Sequence, residues 1–509
     1  MEPWLKPLYD AEGMRAVDRW AIEEQGVPSL ELMEAAGQAV AEAVAGLSPQ
    51  GPIRVLCGKG NNAGDGLVAA RHLAGMGHEV EVLLLWPGEE MRGDAAVNLE
   101  RVESERVEGE LSGRLAGSGA VVDAIFGTGF EGAPREPAAG AIEATNRCGA
   151  PVVACDIASG VDASSGEIAG AAVEADLTVS FHGAKLGQRI APGKWRTGEL
   201  RVAPIGVPPG APGEPRGGAI DPSVLSLAPR RGPRSNKFSS GQVAIAGGSR
   251  GLTGAVQMSS LAAIRSGAGY ATVAVPADLE PVFETGQPEV MSRGCPSGGG
   301  FLAYDAAEAV LATFERAAAG VLGPGLGRHE ESFRLARHLA AAIAVPLVID
   351  ADGLNAFAGA LPRLAAREAP TVLTPHAGEL ARLLERDSAE VEAHRLAAAR
   401  EAARATGALV VLKGDDTIVT DGERIAVNEI SAPGLATAGS GDVLSGVTAA
   451  LLARGLEPFA AACAAVVAHA RAGCEAASRI GAAESVIATD VIAAIPAGLR
   501  PGSSGLPVE

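Results

Sequence analysis

Short apolar runs and longer stretches of helical spacing take turns along most of the chain. In the first part the runs are IRVLC (53–57), VEVLLLW (80–86), AVVDAIF (120–126), PVVACDI (151–157) and DLTVSF (176–181). In the second part they are QVAIAG (242–247), YATVAV (270–275), GVLGPG (320–325), PLVID (346–350), TVLTP (371–375) and ALVVLKG (408–414). They are apolar throughout rather than alternating, as parallel strands covered on both faces should be. Between them, stretches such as LVAARHLAGMG and FRLARHLAAAIA space their apolar residues as helices do. Strand and helix in turn predict α/β architecture with open sheets. In such sheets ligands bind beyond the carboxyl ends of the strands, so the loops after the apolar runs are the places to look for chemistry.

The stretch from Val207 to Gly241 concentrates Pro, Gly, Ser and Arg and breaks the alternation. It predicts a first domain over 1–212, a linker over 213–240 and a second domain over 241–509, both domains being of ordinary size. Composition narrows the partners. With 42 Lys and Arg against 61 Asp and Glu, the net charge is −19, and an acidic surface repels both nucleic acid and anionic lipid. The 47% apolar and 20% charged fractions argue against global disorder, and at 3% aromatics the cores must rely on Ala, Val, Leu and Ile. No secretory signal is visible, and the most apolar stretch, 459–470, is too short to span a membrane. Six cysteines without CxxC spacing read as small buried hydrophobes. A cytoplasmic, multidomain protein is expected.

In the first half, the run 53–57 leads into GKGNNAGDG, a glycine-rich turn that also holds Asn61, Asn62 and Asp65. It is neither a dinucleotide fingerprint nor a P-loop, because no Lys-Ser/Thr pair follows. Later runs deliver Asp123, then Asp156 in CDIASGVD, then His182 and Lys185 in FHGAKLG. Asp156, beside buried strand, is expected to be a desolvated carboxyl with a raised pKa suited to proton transfer; the alternative is that it caps its own turn. Asn62, Asp123 and Ser159 offer oxygen only, which suits a hard cation rather than zinc.

The sharpest signal of the second half is PGLATAGSGDVLSG, beginning at Pro433. Gly439 and Gly441 precede a helix predicted to begin near Asp442, which makes an anion cradle at a helix N-terminus. Asp442 stands where it can take a proton from a hydroxyl attacking a phosphoryl group. Asp352 and Glu379 can support magnesium directly or through water, and Lys413 can neutralise nucleotide phosphate. His376 reads as a satisfied strand-end histidine or, given its neighbours Pro375, Gly378 and Glu379, a binding residue, rather than a catalytic one.

Together these residues carry a resemblance. NNAGDGLVAARHL, DAIFGTGF, DIASGVD and SFHGAKLG resemble the NAD(P)H-hydrate epimerase domain. GPGLG, DADGLN, TPHAGEL, KGDDT and ATAGSGDVLSG resemble the ribokinase-like NAD(P)H-hydrate dehydratase domain. Their order is similar to that of the bifunctional NAD(P)H-hydrate repair enzymes. The resemblance implies a Rossmann-like three-layer epimerase domain followed by a ribokinase-like α/β domain. It implies a reduced nicotinamide cofactor damaged by hydration as substrate, NADHX or NADPHX. The first domain would interconvert the R and S hydrates. The second would use ADP to dehydrate the S hydrate, yielding NAD(P)H, AMP and phosphate.

Residue by residue, the resemblance implies that Asn61, Asn62, Ala63, Gly64 and Asp65 bind the hydrate in the epimerase site. Gly127, Thr128, Gly129, Phe130, Glu131, Gly132, Ala133 and Asp156 would join them, with Asp156 as the acid/base group. Asn62, Asp123 and Ser159 would hold potassium. In the dehydratase site Ala255, Gly325 (or its neighbour Gly327), His376 and Asp442 would face the hydrate. Lys413, Gly414, Asp415, Asp416, Thr417 and Gly441 would hold ADP with magnesium, and Asp442 would act as base. A homo-oligomer is also expected.

Two positions depart from the family pattern, Ala63 in place of Gly and Ala158 in place of Pro. Ala63 is harmless if its φ is negative and strained otherwise, whereas losing Pro before Ser159 leaves that loop less restrained. The rival reading is a ribokinase-like small-molecule kinase with a non-catalytic N-terminal nucleotide-binding module.

Overall fold

The computed structural model describes residues 1–103, 105–108, 113–211 and 215–501. The chain forms two compact units, one made of Met1 with Pro7–Gly218 and the other of Glu2–Lys6 with the chain from Ala219 onward. The expected domain boundary at 212 and 213 lies outside the described residues. Within the stretch expected to be a linker, Gly217–Ile220 is a strand and Pro222–Leu227 a 3-10 helix. Val224 and Leu225 of that helix are buried in the second core. Trp4 packs with Phe459 at 6.0 Å between ring centroids, which ties residues 2–6 into the same core.

The first unit is built on a parallel sheet in the spatial order Glu105–Glu108, Val80–Leu84, Ile53–Cys57, Ala120–Ala124, Val152–Cys155, Leu177–Phe181, Glu199–Ala203. Successive side chains point to opposite faces, and the core divides accordingly. Val55, Cys57, Val122 and Val153 pack with the helices Ser29–Gly46 and Asn61–Gly75 on one face. Leu56, Val121 and Ala154 pack with the helix Ala138–Asn146 on the other. This three-layer arrangement accounts for strands that are apolar at every position. The order reverses between 53–57 and 120–124, a topological switch point, where a crevice opens at the strand ends of a doubly wound sheet.

The sheet of the second unit runs Val290–Cys295, Tyr270–Pro276, Gln242–Ala246, Ala319–Leu322, Leu347–Ile349, Thr371–Leu373, Leu409–Leu412 in parallel, then Ile418–Thr420 and Ile425–Val427 antiparallel. Its switch point lies between 242–246 and 319–322. The helices Thr253–Arg265, Ser440–Ala453, Pro458–Ile480 and Ala488–Gly498 contribute to one core made mostly of Ala, Val and Leu.

Every apolar run read from the sequence overlaps a strand. The strands it did not reveal include the edge strands Glu199–Ala203 and Val290–Cys295, which are largely exposed or alternate in burial. An edge strand is not covered on both faces and so lacks the continuous apolar run. Among the described residues no helix is long and apolar enough to cross a membrane. All six cysteines are free, and Cys57, Cys155, Cys295 and Cys463 are buried.

Candidate active site

At the first switch point, the strand 53–57 feeds the helix Asn61–Gly75 through Gly60, its N-cap. Asn62, Ala63, Gly64 and Asp65 are all buried in its first turns. Ala63 is absent from the positive-φ residues, so the methyl in place of Gly causes no backbone strain. Asn62 is 8% exposed, and neither Nδ2 nor Oδ1 finds a hydrogen-bond partner among the described residues. A Cβ built on Gly127 would lie 3.3 Å from Asn62 Oδ1, so the 127–133 loop begins directly on that amide. Gly129 and residues 131–133 form an exposed rim beyond it, while Phe130 stacks on Phe126 at 4.3 Å.

Asp123 is fully buried and accepts from Ser159 N at 2.8 Å, Ser159 Oγ at 2.6 Å and Ile125 N at 3.2 Å. Burial pushes its carboxyl up to about 6, against the pull of those donors. Asn62, Ser159 and Asp123 thus surround the start of the loop with oxygen atoms. The unpartnered buried Oδ1 of Asn62 has the chemistry that a hard cation takes. Ala158 is buried and its carbonyl accepts from Val161 N at 3.1 Å, which holds the turn without proline.

Asp156 departs from expectation. Burial acts to raise its pKa, but the Lys185 ammonium outweighs burial and holds the carboxyl below its usual value. Lys185 is fully buried; its Nζ donates to Asp156 Oδ1, to Ser180 Oγ at 2.8 Å and to the Phe181 carbonyl at 3.2 Å. Thr128 Oγ1 donates to the second carboxyl oxygen of Asp156, and Phe181 N to the first at 3.2 Å. The expected raised pKa is therefore corrected: Asp156 is ionised, because a buried carboxylate touching a buried lysine keeps its charge. Its φ of +65° is one of the few left-handed conformations at a non-glycine residue here. Asp tolerates it better than most side chains, and such conformations cluster at functional sites.

The raised pKa falls instead on Asp65. Burial, then the charges of Asp156 and Asp18, push its carboxyl well above the usual range. Asp18 lies close enough for burial and Asp156 to push it to about 6, with Lys185 pulling the other way. The motif FHGAKLG places Lys185 without giving it a role, although a lysine amid apolar residues needs a carboxylate partner. Its place is set by a short parallel pairing, Leu8 with Ala184 and Tyr9 with Lys185. Asp18, in the helix Ala11–Arg19, gave no local signal because its partners are remote in sequence.

At the second switch point, Ala255 and Gly325 lie against each other. A Cβ on Gly325 would lie 3.2 Å from Ala255 Cβ and 2.3 Å from the Leu252 carbonyl, and φ there is +61°, so only glycine fits. Its neighbour Gly327 donates its N–H to Asp352 Oδ2 at 3.1 Å. His376 caps the helix Ala377–Leu384: Nδ1 accepts from Gly378 N at 3.0 Å and from Glu379 N at 3.3 Å. Burial holds its pKa below the usual histidine value, against Glu379. The neutral ring therefore carries its proton on Nε2, and the side chain is 55% exposed, so it can donate to a ligand.

Asp442 lies in the first turn of the helix Ser440–Ala453, whose N-cap Gly439 has a φ of +89°. Burial, followed by the Asp350 charge, pushes Asp442 up to about 7, with Lys413 pulling down and Glu379 and Asp352 pushing further up. Lys413 Nζ is committed elsewhere, at 3.1 Å from Asp350 Oδ1 and 3.5 Å from Glu379 Oε2. Burial opposes its charge, but Asp350 and Glu379 prevail and raise its pKa. A Cβ on Gly441 would lie 3.2 Å from that ammonium, so the helix N-terminus and Lys413 face one space.

That space continues into a cavity of about 290 Å³, near the lower end of ordinary ligand pockets. Lys413, Gly414, Asp415, Thr417 and Gly441 line it, together with Pro433 and Leu435 from the start of the glycine-rich motif and Ile430 and His469 from outside the motifs. Asp416 does not line it. Its carboxylate pairs with Arg395 at 2.8 Å (Nη2) and 3.0 Å (Nε), which braces the loop from behind. A larger cavity of about 690 Å³ lies at the far ends of the helices, against residues that follow Arg265 and Ala453. No candidate residue lines it; Arg454 and Arg231 there donate to the Ser266, Gly267 and Ala268 carbonyls.

Comparison with known proteins agrees with both halves. The NAD(P)H-hydrate dehydratase family matches residues 243–497, and the YjeF-related protein N-terminus matches residues 29–187. The bifunctional NAD(P)H-hydrate repair enzyme Nnr of Moorella thermoacetica is 38% identical, over 97% of this chain and 96% of its own. The Escherichia coli protein of the same name is 34% identical, over 96% and 93%. Among solved structures, the ADP/ATP-dependent NAD(P)H-hydrate dehydratase of Bacillus subtilis, co-crystallised with ATP/Mg2+, aligns with a TM-score of 0.47 at 26% identity, covering 54% of this chain and 94% of its own. With both domains matched in order and relatives aligned over nearly its whole length, the chain belongs to the family of bifunctional NAD(P)H-hydrate repair enzymes.

Proposed function

We propose that the chain repairs hydrated NADH and NADPH, the first unit equilibrating the R and S hydrates and the second dehydrating the S form with ADP. The observation that carries this reading is Asp442, held at about 7 beside the cavity that Lys413 and Gly441 open onto. A base poised near neutrality is ionised often enough to accept the hydroxyl proton and basic enough to hold it. As the hydroxyl oxygen bonds to the terminal phosphorus of ADP, AMP departs. Lys413 and the helix N-terminus balance the phosphate charge. The new phosphate ester is a far better leaving group than hydroxide. Its departure, with loss of a proton from the neighbouring ring carbon, restores the dihydropyridine. His376 offers an Nε2–H to the hydrate, and Ala255 and Gly325 shape the floor under it.

Magnesium would lower the barrier by neutralising developing phosphate charge. No group of three or more His, Cys, Asp or Glu able to hold a metal occurs among the described residues. Magnesium bound through nucleotide phosphates needs only one or two carboxylates and water. Asp352 and Glu379 are the candidates. Glu379 meets both the His376 N–H and Lys413 through Oε2, whereas Asp352 takes Gly327 on Oδ2 and Arg328 and Asn355 on Oδ1.

In the first unit, Asp156 is the acceptor whose pKa is lowered and Asp65 the carboxyl whose pKa is raised. Two acids driven apart in this way can exchange acid and base roles at one centre. Asn62, Asp123 and Ser159 would hold potassium, which would fix the 127–133 loop against the substrate.

Purified protein given hydrated NADH and ADP tests the reading. Recovery of NADH absorbance is expected. Accumulation of a stable phosphorylated alcohol would instead assign the second unit to the small-molecule kinases.

A further inference from the structure

One polar atom in the nucleotide cavity has no partner. His469, on the helix Pro458–Ile480, is 7% exposed and lines the cavity, yet its Nε2 makes no hydrogen bond among the described residues. The residues around it divide the cavity. Lys413, Gly441 and Ser440 form the charged and amide-rich end, and Ile430, Pro433, Leu435 and Val466 form an apolar slot. An imidazole nitrogen buried at such a boundary has lost its water, and native structures rarely leave one unmatched.

We infer that His469 reads the nucleotide through Nε2, accepting a hydrogen bond from a donor that lies between phosphate and base: a ribose hydroxyl or the exocyclic amine of the purine. This rests on the proposed role of the cavity as the ADP site. Acceptance follows from the ring's state. Burial, with Lys413 nearby, lowers the pKa to about 4, so the ring is neutral at pH 7. The Ser440 backbone opposes that shift, as a carbonyl accepting an imidazole N–H would, and with Nε2 unpartnered the bonded nitrogen is Nδ1. A neutral ring with its proton on Nδ1 has only a lone pair on Nε2. His376, with the opposite tautomer, presents a donor to the hydrate; His469 presents an acceptor to the nucleotide.

The test is equilibrium binding of ADP, 2′-deoxy-ADP, 3′-deoxy-ADP and IDP to the full-length protein, with NADH recovery followed separately. The wild type is expected to bind one of the three analogues about 10-fold more weakly than ADP, the scale of one lost hydrogen bond in a desolvated site. A deoxy analogue identifies the ribose as the donor, and IDP identifies the base amine. His469→Asn keeps an amide near Nδ1 for Ser440 but cannot reach the ligand. It is expected to weaken ADP by about the same factor and to erase the distinction. His469→Gln, with an amide near Nε2, is expected to retain most of it. Equal binding of all four nucleotides by the wild type, or an unchanged distinction in His469→Asn, overturns the inference. Discriminating binding without NADH recovery leaves it standing and removes the proposed activity instead.

Discussion

Both units set an aspartate near a lysine at the switch point of a parallel sheet, and the two aspartates end in opposite states. In the first, Lys185 lies on Asp156 and holds that carboxyl below its usual pKa despite burial. In the second, Lys413 is drawn to Asp350 and Glu379, and Asp442 rises to about 7. What separates them is which carboxylate touches each ammonium. An aspartate in direct contact with the lysine is held ionised, and an aspartate left out of contact, with other carboxylates nearby, is pushed up by burial and by their charges. The difference suits the two reactions. Interconverting epimers favours a standing negative charge beside a second acid whose pKa burial raises, as at Asp65, whereas phosphorylating an alcohol requires a base that cycles.

The largest effect should come from Asp442→Asn, which removes the proposed base and keeps the shape. Dehydration is expected to fall about a thousandfold, with ADP binding largely intact and interconversion of the R and S hydrates unchanged. Chromatographic separation of the hydrates and NADH absorbance read the two activities in one sample. Equal loss of nucleotide binding would make Asp442 a structural cap. Next in size is Lys185→Met, which strands Asp156 as an unpaired buried charge. A loss of about 3–5 kcal/mol is expected from the first unit, seen as a lowered melting transition together with loss of epimerisation. Asp156→Asn combined with Lys185→Met should recover much of the stability and none of the activity.

Acidity separates the units next. A base works when ionised, so dehydration should decline as pH falls below about 7. Epimerisation should show no such limb from Asp156, whose pKa lies below its usual carboxylate value. Stability runs the opposite way for Asp442. Its folded-state pKa exceeds the unfolded value of 3.8, so the folded chain holds the extra proton and loses stability as pH rises from the lower value to the higher. Asp442→Asn should therefore melt higher than wild type at pH 8 and little differently at pH 4. The smallest effect is the most specific to the comparison. Asp350→Asn removes the carboxylate that most raises Asp442 and releases part of Lys413, so the acid limb should move down by up to about one pH unit. An unmoved limb would mean that sharing of Lys413 does not set the acidity of Asp442.

Much of the architecture is legible in the chain itself. Interior parallel strands are covered on both faces and are written as unbroken apolar runs, which is why 120–126 and 242–247 declared themselves while the edge strand 290–295 did not. Motif residues on the loops were equally visible, since Asn62, Asp123 and Ser159 offer oxygen where a bland turn needs only glycine. Their protonation was not. Asp156 read as a desolvated acid because its neighbours in sequence are apolar; its partner Lys185 is 29 residues away. Asp416 looked like a nucleotide contact within KGDDT and proves to be the counter-ion of Arg395. His469, in an Ala-rich helix, carried no signal at all.

Sequence alone therefore determined the two-unit α/β plan, the loops that hold the candidate residues and the family, because periodicity and motif spacing are local properties of the chain. Only the tertiary structure decided which acids are charged, which glycine a methyl would displace and which histidine presents a lone pair. Those depend on burial and on charges a few ångströms apart in space but tens of residues apart along the chain, and no local pattern records such distances.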